Sequence, residues 1–367
     1  KRAGELFGEV KSLSKVSPER VSPRCKICHS CGGCSLQQLS YKAQLEFKTK
    51  KVEEQFRKVG HMDVKVNPCI GMDEPYYYRN KIQMPFGKDR HGNVYCGFYK
   101  QNTHVLVPVE ECFIEDKRAV PILSAIKKLC TAMRIEPYQE DMGRGILRHV
   151  LIRTSHYKDQ IMVVLVTTVD SFPGRGNFVS ALAKQCPEIT TVVQNINSRA
   201  NVILGEKERV LFGKGFIEDS LCGLSFRISA KSFYQTNPII TEKLYSYAMQ
   251  AGGLGKEDVV FDAYSGIGTI GLIAAKSCKQ VLSVELVPAA VRDGIRNAKA
   301  NKIDNFSMYC DDASSFMVRM AKTKERVDVL FMDPPRKGAD ERFLKALKSF
   351  CKGFGGYGEN GDYGKYG

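Results

Sequence analysis

Residues 259–271 leave this chain few folds to choose from. Val259-Val-Phe-Asp262 is a short apolar strand, and Ala-Tyr-Ser-Gly266-Ile-Gly268-Thr-Ile-Gly271 turns from it into a helix. Glycines there let the backbone turn sharply and approach a ligand closely. Strands and helices alternate around this turn. After Asn237-Pro238, a cap followed by proline at the first helical position, the pattern predicts helix 239–251, strand 258–262, helix 268–277, strand 280–285, helix 287–300, and strands 306–310 and 327–332. Such alternation implies an α/β doubly wound parallel sheet.

The glycine string also satisfies G-x-G-x-x-G, with Glu285 nineteen residues beyond Gly266, so a nicotinamide-dependent oxidoreductase is formally allowed. Two features move the reading to S-adenosylmethionine (SAM). Asp262 ends the strand four residues before the first glycine, and the later strand Val327–Met332 runs into Asp333-Pro-Pro-Arg336. Those prolines hold the chain rigid at the sheet's carboxyl edge, where ligands of such sheets bind.

Upstream, residues 76–230 read mainly as β, with Lys81–Met84, Tyr95–Tyr99, Val105–Val107, His149–Arg153, Ile161–Val169, Val192–Asn195 and Leu224–Ile228 as strands and a helix near 119–134. Ser40 can cap a helix in which Leu45, Val52, Phe56 and Val59 recur before Gly60. Residues 5–24 suggest one or two short strands, and the seven glycines of 353–367 suggest a disordered tail. The longest mostly apolar run, Ile161–Val169, is far short of the roughly 20 residues a membrane helix needs.

Thirteen cysteines without an apolar leader, in a chain of 367 residues, fit a reducing, cytoplasmic setting better than a disulfide scaffold. Cys25, Cys28, Cys31 and Cys34 stand three apart, and Cys112 is a candidate remote ligand. Close-set cysteines plus a distant one suit a [4Fe–4S] cluster; zinc and ordinary thiols are the alternatives. The net charge of +15 favours a polyanion, and residues 1–60 hold 13 Lys or Arg against six Glu. Arg79, Asn80, Lys81, Arg148, His149 and Arg153 are the candidate RNA contacts, with Lys42, Lys48, Lys50 and Lys51 supplying diffuse phosphate attraction.

Several separate strings then carry a resemblance. They are Ser22-Pro-Arg-Cys25 with C-x5-C-G-G-C spacing, Leu36-Gln-Gln-Leu-Ser-Tyr41, Tyr78-Arg-Asn-Lys81, Gly97-Phe-Tyr99, Leu147–Arg153, Gln194-Asn-Ile-Asn197, Ile228–Asn237 with Gln235, the glycine turn, and Asp333–Gly338. Over roughly 16–350 the chain resembles the iron–sulfur RNA uracil-C5 methyltransferases, most closely the bacterial 23S ribosomal RNA enzymes. The resemblance implies a class I SAM-dependent methyltransferase, with a Rossmann-like sheet over 231–350 and an α+β iron–sulfur, RNA-binding domain over 25–230. It implies a remnant of an N-terminal TRAM-type barrel over 1–24 and a tail over 351–367. Cluster ligands would be Cys25, Cys31, Cys34 and Cys112, leaving Cys28 as an extra. SAM would meet Gln235, Tyr264, Glu285 and Asp333, beside Gly266 and Gly268, with Asp312 on the adenine side and Thr269 a weaker candidate. The helix of 40–60 would pack on the catalytic domain. RNA is the implied partner, 23S ribosomal RNA ahead of transfer RNA, and a monomer is expected.

The chemistry in such enzymes begins with a cysteine thiolate adding to C6 of uracil, which makes C5 nucleophilic toward the sulfonium methyl. The family's Ser-Cys-Asn-Pro-like string and its later glutamate are absent from these 367 residues, and Cys351 is followed by Lys-Gly. A fragment, or a cluster-bearing protein that binds RNA without modifying it, is therefore expected. Incubating this polypeptide with methyl-labelled SAM and a uridine-containing RNA should leave the RNA unlabelled; labelled 5-methyluridine would sink that expectation.

Overall fold

The computed structural model describes residues 11–199, 202–323 and 325–353. The expected strand at Leu6–Val10 and the glycine-rich tail from 354 on lie outside them. Val16–Pro18 forms no strand; Arg20 makes a single bridge to Leu39.

Helix α1 spans Tyr41–Lys58, its first turn capped by Ser40, whose Oγ accepts from the Ala43 amide at 3.2 Å. None of its side chains is buried, and Val52, Phe56 and Val59 are exposed. The sequence spacing thus finds the helix but not a burial partner. Its contacts with the chain include Tyr41 Oη accepting from the Met72 amide (2.8 Å) and Thr49 Oγ1 from that of Cys69 (2.9 Å).

A seven-stranded sheet follows, built from β1 (Lys81–Lys88), β2 (Val94–Tyr99), β3 (Leu106–Pro108), β4 (Leu147–Thr154), β5 (Ile161–Thr167), β6 (Ile189–Ile196) and β7 (Lys207–Phe212). The order is β3-β2-β1-β4-β5-β6-β7, antiparallel except at β5–β6. Helix α2 (Ala119–Ala132) and the β5-to-β6 crossover helix α3 (Arg175–Gln185) cover one face. There Ile122, Ile126, Phe178 and Leu182 pack on Val150, Ile152, Val163 and Leu165. β4 and β5 are buried throughout, which is why they read as unbroken apolar or large residues. Helix α3 and strand β7 escape sequence detection because neither has a clear period; β7 runs Lys207-Glu-Arg and then Val-Leu-Phe212 on an exposed edge.

The other face of that sheet meets a hairpin, β8 (Phe216–Leu221) and β9 (Leu224–Ser229). Helix α4 (Pro238–Gly252) then leads into a parallel sheet of β10 (Val259–Ala263), β11 (Gln280–Glu285), β12 (Phe306–Cys310) and β13 (Val329–Met332), ordered β12-β11-β10-β13. Helices α5 (Thr269–Ala274), α6 (Pro288–Ala300) and α7 (Ala313–Thr323) make its crossovers, and α8 (Glu341–Gly353) follows β13. The expected alternation is observed, with α7 and α8 added. One apolar core joins the two sheets: Leu151, Met162 and Val164 of the first pack with Phe226 of the hairpin, Tyr245 of α4 and Ile267 of the glycine turn.

A polar ladder fixes the hairpin to the second sheet. Asp293 and Asn297 of α6 and its C-cap residue Asn301 lie four apart, hence on one face. Asn301 accepts from the Ser225 amide (2.8 Å) and donates to its carbonyl (2.7 Å); Asn297 accepts from the Arg227 amide (2.8 Å); Asp293 accepts from the hydroxyls of Ser229 and Ser232. These side chains serve as the missing neighbour of β9, whose edge groups would otherwise be buried unpaired. Asn301→Ala should lower stability by about 1–3 kcal/mol, read from the urea midpoint, because it strands two backbone groups of Ser225.

Candidate functional site

The strand order reverses at β10, so the carboxyl ends of β10 and β13 are where a sheet of this kind forms its ligand crevice. Six of the predicted cofactor residues stand along that edge in sheet order: Asp312 after β12, Glu285 ending β11, Tyr264, Gly266 and Gly268 in the turn after β10, and Asp333 after β13. Gln235 arrives from the segment before α4, and its Nε2 donates to Asp333 Oδ2 at 3.2 Å. Glu285 is fixed by two amides, Gly266 N–H to Oε2 (3.0 Å) and Val287 N–H to Oε1 (2.8 Å). Asp312 Oδ1 accepts from the Ser315 amide and hydroxyl, both 2.9 Å, and so caps α7. Tyr264 adopts a φ of 61°, and its ring lies 5.6 Å from that of Phe343 in the helical layer.

Two glycines of the turn are required by space. Gly268 has a φ of 78°, and a Cβ there would stand 2.8 Å from the Phe306 ring; one at Gly271 would stand 2.6 Å from Ser283 Oγ. Beneath them lies Asp262, 1% exposed, which sequence reading noted as the strand end but not as a site residue. Its Oδ2 accepts from the Gly271 amide (2.9 Å), whereas Oδ1 is buried without a partner. Burial pushes its carboxyl up to about 7. Thr269 Oγ1 lies 3.1 Å from the hydroxyl of Tyr245, a buried α4 residue that no sequence pattern distinguished from core. Phe233, two residues before Gln235, is 61% exposed although large and apolar. An aromatic in the polar run Ser-Ala-Lys-Ser-Phe was the available signal.

The second grouping is the cysteine cavity. Cys25, Cys28, Cys31, Cys34 and Cys112 all line one space of about 340 Å³, with Glu115, Arg79, Lys81 and Thr236. All five are half-buried, so Cys28 stands with the others rather than apart. The loop is closed by the Cys31 amide on the Ile27 carbonyl (2.8 Å) and the Gly32 amide on that of Tyr99 (3.1 Å). The Gly33 amide points at Cys31 Sγ (3.3 Å). Burial raises the Cys31 thiol and pushes Cys112 up to about 12 and Glu115 up to about 8. Among the described residues, no three His, Cys, Asp or Glu side chains are arranged to hold a single metal ion.

Most of the expected RNA contacts are corrected by burial. Asn80, Arg148, His149 and Arg153 are each 8% exposed or less. Arg148 Nη1 donates to the carbonyls of Asn197 and Arg199, and Arg153 Nη2 to those of Ala230 and Ser232. Burial and the Arg148 charge hold His149 down to about 4, neutral at physiological pH. Asn80, Arg148 and Arg153 tie strands to loops, His149 keeps its Nδ1 buried without a partner, and none of the four presents its side chain to a phosphate. Arg79 and Lys81 line the cysteine cavity, where burial lowers Lys81 to about 8.

The family model described as tRNA (Uracil-5-)-methyltransferase matches residues 40–353. The chain belongs to that family. It is 40% identical over 344 residues to an uncharacterised RNA methyltransferase of Oceanobacillus iheyensis (93% of this chain, 74% of that protein). It is 41% identical over 342 residues to one of Listeria monocytogenes (93% and 75%). Among solved structures, the tRNA (uracil-54, C5)-methyltransferase of Pyrococcus abyssi, determined with S-adenosyl-L-homocysteine, superposes with a TM-score of 0.72 at 24% identity, over 95% of this chain and 80% of that one. The fold is thus the α/β SAM-dependent methyltransferase fold, and members of this RNA uracil-5-methyltransferase family are enzymes. Among the described residues, no helix is long and apolar enough to cross a membrane.

Asp262 sets a pH dependence. Its folded value, about 7, lies above the ordinary 3.8, so the folded state keeps its proton longer than the unfolded chain. The burden on stability is absent below about pH 4, grows to about pH 7 and is constant above. Asp262→Asn should therefore gain on the wild type across that window in urea midpoints; a constant difference would contradict the assignment.

Proposed function

We propose that this protein binds SAM in the crevice between β10 and β13, and that the reaction its family's site serves is methylation of C5 of a uridine in RNA. The observation that carries the reading is the Gln235–Asp333 pair facing Glu285 and the glycine turn at the point where strand order reverses. There Glu285 would accept from ribose hydroxyls, Asp333 and Gln235 would lie nearest the methyl donor, and Asp312 would serve the adenine side. Tyr264, with its ring against Phe343, would contribute the backbone of the turn. Phe233, exposed beside Gln235, is suited to stack on a base drawn out of its helix.

In the reaction a nucleophile adds to C6, C5 takes the methyl from the sulfonium to leave S-adenosylhomocysteine, a base removes the C5 proton, and the nucleophile departs. No described residue is assigned the nucleophile's part. Position 351 falls within α8, and it is not proposed for that role.

The cysteine cavity supports an iron–sulfur centre. Five thiols line it beside the carboxylates of Glu111 and Glu115, it exceeds the space of a single ion, and an amide already points at Cys31 Sγ, the kind of hydrogen bond that tunes thiolate-held clusters. Cys25, Cys31, Cys34 and Cys112 would hold a [4Fe–4S] group, with Cys28 on the same wall. Bound there, the group would cross-link the 25–34 loop to the segment before α2, stabilising the fold. On the resemblance to the iron–sulfur enzymes, 23S ribosomal RNA is the substrate we favour; transfer RNA is the second reading, supported by the family description. For the electrostatic footprint we propose the exposed α1 lysines Lys42, Lys48, Lys50 and Lys51, which the structure leaves on the surface where Arg148 and Arg153 are not.

S-adenosylhomocysteine at a hundredfold excess over its Kd should raise the melting temperature, by an amount equivalent to about 2.7 kcal/mol, whereas NAD should not. Asp333→Ala should weaken that binding about tenfold or more, and Phe233→Ala should weaken binding of a single-stranded uridine RNA while sparing the cofactor. Anaerobic supply of iron and sulfide should give a brown protein, and Cys112→Ser should not hold the colour. A colourless wild type that retains zinc would sink the iron–sulfur reading.

A further inference from the structure

The segment that carries Gln235 has no ladder of its own. Between β9 and α4 the chain is neither helix nor strand, so something else must fix its backbone. Two residues predicted for RNA do so. Arg153 Nη2 donates to the carbonyls of Ala230 and Ser232. Asn80 takes the other end: its Nδ2 donates to the Gln235 carbonyl at 3.0 Å and its own amide to the Thr236 carbonyl at 3.0 Å. Asn80 is itself anchored, since its carbonyl accepts from the Thr154 amide at the end of β4 (2.9 Å), and it is 7% exposed.

We infer that Asn80 is a positioning residue of the cofactor site, clamping the Gln235–Thr236 main chain so that the Gln235 side chain reaches Asp333. The inference rests on the reading of Gln235 and Asp333 as cofactor residues. An asparagine suits the place because a short planar amide supplies an N–H to a carbonyl one residue away from where its backbone N–H binds, so two parallel donors seize two successive peptide units. Leucine would fill the same volume and leave the Gln235 carbonyl unpaired. Aspartate would set a carboxylate against that carbonyl until it took up a proton, after which it would donate. The neighbours Arg79 and Lys81 face the cysteine cavity, as does Thr236, so Asn80 stands between the two candidate sites.

The test is calorimetric titration of S-adenosylhomocysteine into the whole 367-residue chain and its variants. Gln235→Ala should weaken binding; unchanged affinity there would sink the cofactor reading and is distinguishable from failure of the clamp. Given that loss, Asn80→Leu should weaken binding about tenfold by itself and add nothing in the Gln235→Ala background, because both changes remove one contact. Wild-type affinity in Asn80→Leu, or losses that multiply in the double variant, would overturn the inference. Asn80→Asp supplies a reading that a merely structural role would not give and that stands even if the leucine variant does not fold. Its affinity should be low above neutrality and recover toward wild type on acidification, relative to the wild-type profile over the same range. Absence of that recovery would overturn the clamp.

Discussion

The face of α6 that carries Asp293, Asn297 and Asn301 is the contact on which the candidate cofactor site depends. Hairpin strand β9 has one hydrogen-bonded neighbour, β8, and its other edge is buried. Buried backbone groups must be paired, and the amides of Asn297 and Asn301 pair those of Ser225 and Arg227, while the Asp293 carboxylate holds the Ser229 and Ser232 hydroxyls. That docks the hairpin, and through it the seven-stranded sheet, against the parallel sheet. The segment leaving β9 then passes over the carboxyl ends of β10 and β13, which is how Gln235 comes to face a residue nearly a hundred positions later. The geometry of the candidate site is set by polar contacts between layers laid over a shared apolar core.

Two kinds of buried polar group sit in that interface and do different things. Arg148, Arg153 and Asn80 are spent on carbonyls of irregular segments, holding them where no strand pairing can. Asp262, by contrast, keeps one oxygen unpaired beneath the glycine turn. An unpaired buried carboxylate oxygen costs stability and raises the proton affinity of the group. The turn above it tolerates this because Gly271 approaches closely enough to donate to the other oxygen.

The family assignment and the site geometry agree on which edge of the sheet matters, and they bear on different parts of the chain's chemistry. The parallel sheet supplies a methyl-donor crevice of a general kind. The five-cysteine cavity is a feature of the antiparallel half, and its wall residues Arg79, Lys81 and Thr236 flank the clamp on Gln235. The two candidate sites are therefore neighbours in the tertiary structure although the motifs that mark them lie some 200 residues apart.

Much of this was legible beforehand. Alternating elements, the glycine turn and Asp333-Pro-Pro gave the doubly wound sheet and the residues along its edge, because strand period, glycine stereochemistry and proline rigidity are local properties. The convergence of Cys112 on the 25–34 loop followed from thiol spacing together with the family resemblance. What the sequence could not decide was exposure. Arg148, His149 and Arg153 look like a basic strand ready for phosphate, yet β4 is central and covered on both faces, so the two arginines became internal ties and His149 was buried. Val52, Phe56 and Val59 look like a core stripe and stay on the surface. A residue's type and spacing fix which element it joins; which side of that element water reaches depends on the layers folded over it, and only the tertiary structure decides that.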